Sequence, residues 1–312
     1  MNPRSSVLRL LRVSRTVSDL KKTLAFYTDA LGFSVTREAE IDEPAWGELM
    51  GIPGANGHSA ILRLGKQELE LLAYDPPGRP YPPESKAIDF WFQHVAVVVS
   101  DVNMAYARLC QCSFAAITEN GPQRLPPNTG SVTAFKFHDP EGHPLELIHF
   151  PAGTGDAAWQ QRLEVFLGID HTAIDVADME QSIDFYSRLL GLSVISRSVN
   201  TGPEQARLDH ATNVLVNVAA LQPTMQGPPH IELLGYAQPA KDRLPADPRS
   251  NDVVTDRMVL QVNDLPQMME MLDAESIQFI SPGLVTMRNG DRVALVSDPT
   301  GHMLMLMESH SA

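Results

Sequence analysis

Cysteine is nearly absent: the chain of 312 residues has two, Cys110 and Cys112. That excludes a disulfide framework and fits a reducing compartment. One residue apart, they read as ordinary thiols near a helix end rather than a redox pair. Positive charge is also scarce. The 24 Lys and Arg face 38 Asp and Glu, for a net charge of −14. No basic stripe is visible, which argues against nucleic acid as a partner. No apolar run approaches the roughly 18 residues that a bilayer crossing needs. Arg9, Arg12 and Arg15 interrupt the apolar N-terminal stretch, and no small-residue cleavage site follows. Neither a signal peptide nor a membrane partner is therefore expected, and the reading is cytoplasmic. The glycines of "GIPGANG" (Gly51, Gly54, Gly57) lack the spacing of a dinucleotide or phosphate motif, and no G-x-S-x-G elbow is present.

What the chain does have is repetition. "LRVSRTVSDLKKTLAFYTDALGFSV" (Leu11–Val35) returns as "GIDHTAIDVADMEQSIDFYSRLLGLSV" (Gly168–Val194). The same offset relates "HDPEGHPLEL" (His138–Leu147) to "SDPTGHMLML" (Ser297–Leu306). Two homologous halves follow, and each divides again. "FQHVAVVVSDVNMAYARL" from Phe92 and "TDRMVLQVNDLPQMMEML" from Thr255 repeat the order of apolar strand, aspartate, amphipathic helix. Asp19, Asp101, Asp178 and Asp264 each sit where a helix should begin and where a side-chain oxygen can take up free amide donors. Short β-rich runs bounded by Gly, Pro and Asn then follow. In the third unit they predict a strand at about 169–176, a helix at 178–190, and strands near 192–198, 213–219 and 229–236. Pro-rich or polar stretches at 75–89, 151–161 and 238–251 separate the units. The first domain is placed at 1–150, with modules at about 7–74 and 91–150. A linker covers 151–166. The second domain spans 167–312, with modules at about 168–236 and 254–309.

Four βαβββ units with Asp-start helices, Phe-Tyr and Leu-Gly pairs and Asp-Pro-x-Gly-His hairpins resemble the vicinal oxygen chelate superfamily. This is the group of glyoxalase I, methylmalonyl-CoA epimerase, extradiol dioxygenases and bleomycin-resistance proteins. The resemblance implies an α+β fold in which pairs of modules form two U-shaped mixed sheets. Each sheet would cup a divalent metal held from the first and last strands. The first-strand positions, seven residues before each aspartate, are Arg12, His94, His171 and Arg257. The last-strand positions are Glu70, Glu146, Glu232 and Met305. In "HVAVVV" Val95, Val97 and Val99 share one strand face and His94 takes the other. In "IELL" Glu232 opposes Ile231 and Leu233 in the same way, and a buried carboxylate needs a partner or a cation.

Pairing neighbouring modules would put one histidine in each cup. Pairing the second with the third gathers His94, Glu146, His171 and Glu232, and leaves Arg12, Glu70, Arg257 and Met305 to the first and fourth. The swapped arrangement explains all eight positions and is the one fused two-site glyoxalases of the superfamily use. The first set suits one divalent ion (Fe, Mn, Zn, Ni or Co). In the degenerate second set, Arg12 and Arg257 are expected to flank Glu70 where a metal once balanced it. Met303, Met305 and Met307 would fill the cup.

The expected chemistry is that of a lyase or isomerase working through a metal-stabilised enediolate of a small oxygenated molecule, with Glu146 or Glu232 as base. The alternatives are an extradiol ring-cleavage dioxygenase with non-haem Fe(II), or a protein that sequesters a small molecule. The segment Arg197–His210 should reach the cup's mouth, where Asn200, Glu204, Gln205, Arg207 and His210 are candidate substrate contacts. No residue set marks a glutathione site. Four fused modules can complete a site within one chain, as a monomer or a homodimer.

Overall fold

The structure, a computed structural model, describes residues 5–160, 163–238 and 248–309. The separators at 151–161 and 238–251 fall partly outside the described residues. All four aspartates cap helices. Asp19 accepts from the amide of Lys22, Asp101 from Asn103 and Met104, Asp178 from Gln181, and Asp264 from Gln267. These are first-turn donors with no partner inside the helix. The helices are Leu20–Asp29, Val102–Leu109, Met179–Asp184 and Leu265–Ala274. The third was expected as one helix over 178–190, but beyond Asp184 it widens into a π-helical turn, Phe185–Leu189. The Leu-Gly pairs end their helices because Gly32 and Gly191 take left-handed φ values of +73° and +79°. No described helix is long and apolar enough to cross a membrane.

The strands form two mixed sheets, and each draws on both halves of the sequence. One runs Val285–Thr286, Arg292–Ser297, Met303–Glu308, Asp256–Val262, Val7–Val17, Gln67–Asp75, Asn56–Leu64, Ser34–Ile41. The other runs Ser193–Thr201, Leu215–Gln222, His230–Gln238, Phe166–Asp175, Gln93–Val99, Pro144–His149, Thr133–His138, Ala115–Ala116. The first module thus joins the fourth, and the second joins the third, through antiparallel pairs of their first strands.

The helix-side faces meet in two large cores. One combines Val95, Val97 and Val99 with Phe26, Tyr27, Leu62 and Leu71 of the first module. The other combines Ile174, Tyr186 and Leu233 with Leu260, Leu272 and Leu304 of the fourth. Each half of the chain therefore shares a core, whereas each sheet crosses between halves. The cup faces point away from these cores.

A buried polar chain ties three modules together. Arg15 pairs with Asp256 at 2.7 Å and donates to the Tyr27 hydroxyl at 2.9 Å. Tyr27 donates to Asp139 at 3.1 Å, and Asp139 accepts from the amides of Glu141 and His143. His143 Nε2 reaches the carbonyl of Val253 at 2.8 Å. Burial would raise the Asp139 pKa, but His143 and Arg15 hold it down to about 2. A depressed carboxyl stabilises the fold fully above its unfolded pKa of about 3.9 and loses that contribution as pH falls through its folded value. Urea unfolding between about pH 5 and pH 2.5 should therefore show a steep loss of stability in the wild type and a shallower one in Asp139→Asn. Equal slopes would show that Asp139 carries no such linkage.

Candidate metal centre

The seam between Gln93–Val99 and Phe166–Asp175 sets the site. Its register places His171 beside Ala96 and His94 beside Ala173. Adjacent parallel pairs add Glu146 beside Ala96 and Glu232 beside Ala173. Each alanine is thus flanked by one histidine and one glutamate, and its small side chain lets the longer ones lean together. His94 Nε2 lies 3.5 Å from Glu146 Oε2, and His171 Nε2 lies 3.6 Å from both Glu146 Oε2 and Glu232 Oε2. One donor atom each from His94, Glu146 and His171 falls within 4.8 Å of the others, close enough for one ion with ordinary bonds of about 2 Å.

Electrostatics fit a cation. Neither ring nitrogen of the buried His94 has a hydrogen-bond partner, which is costly for an imidazole unless it serves as a ligand. Burial and the charge of Lys136 keep His94 below its ordinary pKa, so it is neutral and free to coordinate. Burial opposes ionisation of Glu232, yet His171 and His230 hold it at about 2. Burial also disfavours the charged form of His171, but Glu232, Asp170 and Glu146 carry it up to about 9. An excess of carboxylate that raises a neighbour's proton affinity is what a divalent ion would balance, displacing the proton.

Asp170 was not among the expected residues. Strand alternation puts it opposite His171, but the register shifts between Ile169 and His171, and a bulge re-aims side chains. Asp170 and His171 both line the cup. Asp170 accepts from the His171 Nδ1 side at 2.9 Å and from Trp159 Nε1 at 2.6 Å. It fixes the ring with Nε2 toward the glutamates. The described part of the expected linker is therefore part of the site: Trp159 is buried against the sheet, and Gly155 and Asp156 line the cup.

The cup opens into a cavity of about 650 Å³ lined by the second and third modules. Of the expected substrate contacts, Asn200 and Gln205 line it. Arg207 and His210 do not. The short helix Pro203–Leu208 turns Arg207 toward Gln123 (2.7 Å) and Glu204. His210, in a left-handed turn, has its side chain 68% exposed and sits 3.2 Å from Glu119. His230 lies 3.5 Å from Glu232 Oε1. Lys136 was missed, although "TAFKFH" sets it on the cup face between Phe135 and Phe137. It forms a buried 2.7 Å pair with Asp209, which also accepts from Gln205 Nε2 and the Tyr236 hydroxyl.

The model of the Glyoxalase/Bleomycin resistance protein/Dioxygenase superfamily matches residues 9–147 and again 168–306. The chain belongs to this superfamily. The lactoylglutathione lyase of Arabidopsis thaliana is 26% identical over 198 residues, 62% of this chain and 59% of the relative. That of Salmonella typhimurium is 28% identical over 142 residues, 45% of this chain and 92% of the relative. The chain thus spans about three fifths of the plant relative's length. Glyoxalase I from Zea mays has the same fold, with a TM-score of 0.64, 18% identity and coverage of 97% of this chain and 93% of that one. A putative dioxygenase from Bacillus subtilis gives 0.59 at 11% identity, covering 98% and 87%.

The glyoxalase-like second cup, between the first and fourth modules, is filled. Met303 and Met305 pack with Trp46, Leu72, Val259 and Leu295, and Met307 packs against them. Arg12 approaches Glu70 at 3.4 Å. Arg257 does not flank Glu70 as expected. Its register beside Ser14 turns its Nη2 to Thr16 Oγ1 (2.9 Å), the Tyr74 hydroxyl (3.2 Å) and the Ser250 carbonyl.

Lys136→Met should leave Asp209 as an uncompensated buried charge and cost about 3–5 kcal/mol in urea unfolding. The double variant Lys136→Met/Asp209→Asn, which keeps an acceptor for Gln205 and Tyr236, should recover most of that loss. A single variant as stable as wild type would show that the pair contributes nothing.

Proposed function

We propose that the chain is a metal-dependent lyase or isomerase acting on a small oxygenated molecule in the cavity between its second and third modules. The observation that carries this reading is the convergence of His94, Glu146, His171 and Glu232, with both nitrogens of the buried His94 unpartnered. When bound there, a divalent ion would supply Lewis-acid stabilisation of charge that builds on adjacent substrate oxygens. The chain's own groups divide the remaining work. Asp170 orients His171 through Nδ1. Glu146, its side chain 6% exposed, lies between the two imidazoles, 3.5 Å from His94 Nε2 and 3.6 Å from His171 Nε2. Glu232, 23% exposed and only 3.6 Å from His171, is the carboxylate placed to take a proton from one substrate carbon and return it at the next. Both halves of the centre come from one chain, so it needs no second copy.

One observation favours a second reading. One grouping whose donor atoms lie within 4.8 Å of one another, His94, Glu146 and His171, is two histidines and a carboxylate, the set of non-haem Fe(II) oxygenases. The nearby Glu232 weighs toward the four-residue set and the lyase or isomerase.

Elemental analysis is expected to give one divalent metal per chain, greatly reduced in His94→Ala and in His171→Ala but unchanged in Arg12→Ala. Solvent deuterium should enter an α-hydroxycarbonyl or a thioester without oxygen uptake. Oxygen consumption with a catechol would shift the assignment to ring cleavage. Absence of metal after reconstitution would overturn both readings and leave a sequestering protein.

A further inference from the structure

The relatives' names include a glutathione adduct, a molecule with two carboxylates, and such groups need charge-assisted partners where they leave water. The cavity offers few. Among the described lining residues, Lys136 and Arg197 carry fixed positive charge, against the carboxylates of Glu146, Asp156, Asp170 and Glu232. Lys136 is buried and committed to Asp209 at 2.7 Å. Drawing it to a ligand would strand Asp209, which is itself 2% exposed, as a buried charge. Arg197 is 52% exposed at the rim and doubly bonded to Glu180. A divalent ion would balance Glu146 and Glu232, and His171 faces Asp170, so no buried cation among the described residues is left over.

The remaining wall is apolar or neutral. Val132, Ala134 and Ile148 form one side, and Val216, Leu234 and Tyr236 the other. Gln205 adds a directional feature. A carboxylate only accepts, so the 2.7 Å contact to Asp209 fixes the Gln205 amide nitrogen on that side. Its Oε1 is then left buried with no partner. That atom asks for an O–H or N–H donor and disfavours a carboxylate.

From these features we infer that the cavity selects a molecule whose adjacent oxygens are carried on an uncharged, largely apolar body with a hydrogen-bond donor for Gln205, and rejects carboxylated bodies such as the glutathione adduct. This inference rests on the metal-centre reading.

The test uses the metal-loaded full chain and two bidentate probes, benzohydroxamic acid and 4-carboxybenzohydroxamic acid, compared by titration calorimetry. The neutral probe should bind at least about tenfold more tightly, a difference of about 1.4 kcal/mol. The ratio should persist in Lys136→Met/Asp209→Asn, which removes both charges but keeps an acceptor for Gln205 Nε2, and the hemithioacetal of methylglyoxal with glutathione should not be turned over. Equal or tighter binding of the carboxylated probe, or turnover of the hemithioacetal, would overturn the inference while the metal centre stands. Carboxylate affinity lost only in the double variant would identify Lys136 as an anion receptor and also overturn it. Binding of neither probe would remove the metal-centre reading and this inference with it.

Discussion

The hydrogen-bonded seam between Gln93–Val99 and Phe166–Asp175 is the constraint on which the site depends. It joins strands from different halves of the chain and aligns two rows of side chains across the sheet. One row reads Ala220, Glu232, Ala173, His94, and the other His230, His171, Ala96, Glu146, Lys136. A slip of one residue would turn every one of these groups to the helix side. Val95, Val97 and Val99, locked in the core of the first half, prevent it. The same apolar packing that stabilises the fold thus fixes the position of the imidazoles.

Much of this was legible because repetition reports geometry. The aspartates marked helix starts, Leu-Gly marked helix ends, and strand alternation separated His94 from the valines. Comparing four equivalent positions gave the His and Glu set more weight than any single histidine could carry. What escaped was local irregularity and tertiary choice. The bulge before His171 brings Asp170 to the cup against simple alternation, and the π-helical turn after Asp184 departs from a regular period. The loop contacts were only half legible. The backbone of Pro203–Leu208 decides that Gln205 faces inward and Arg207 outward, and the sequence shows merely that both are polar. Lys136 was visible as a cation between phenylalanines, but its partner Asp209 lies in another module.

The two cups occupy equivalent ladder positions with opposite electrostatic sign. Where the first has Glu232, Ala173 and His94, the second has Glu70, Ser14 and Arg257. Where the first has His171, Ala96 and Glu146, the second has Arg12, Val259 and Met305. The first gathers two carboxylates around neutral or basic imidazoles and favours a cation. The second carries Arg12 against Glu70 and the buried Arg257 beside Thr16 and Tyr74, so a metal there would meet like charge. Its remaining space is taken by methionine and tryptophan, which restore the dispersion contacts an open cup forgoes.

The exchange is incomplete, and the remainder shows how the two cups differ in purpose. Arg257 is fully buried with Nε and Nη1 unpartnered, and the Tyr74 ring 5.8 Å away supplies part of its stabilisation. His94 in the first cup is also buried, and both of its ring nitrogens lack a hydrogen-bond partner, whereas Arg257 keeps three acceptors on Nη2. A guanidinium only donates, so its unpartnered nitrogens could be met by acceptors but not by a cation. The imidazole is neutral, and in the proposed reading a divalent ion would relieve it and offset the charge of the glutamates beside it. Unsatisfied groups in matching places therefore have different standing. One lies among packed methionine and tryptophan side chains, and the other lies among carboxylates, the surroundings a cation would need.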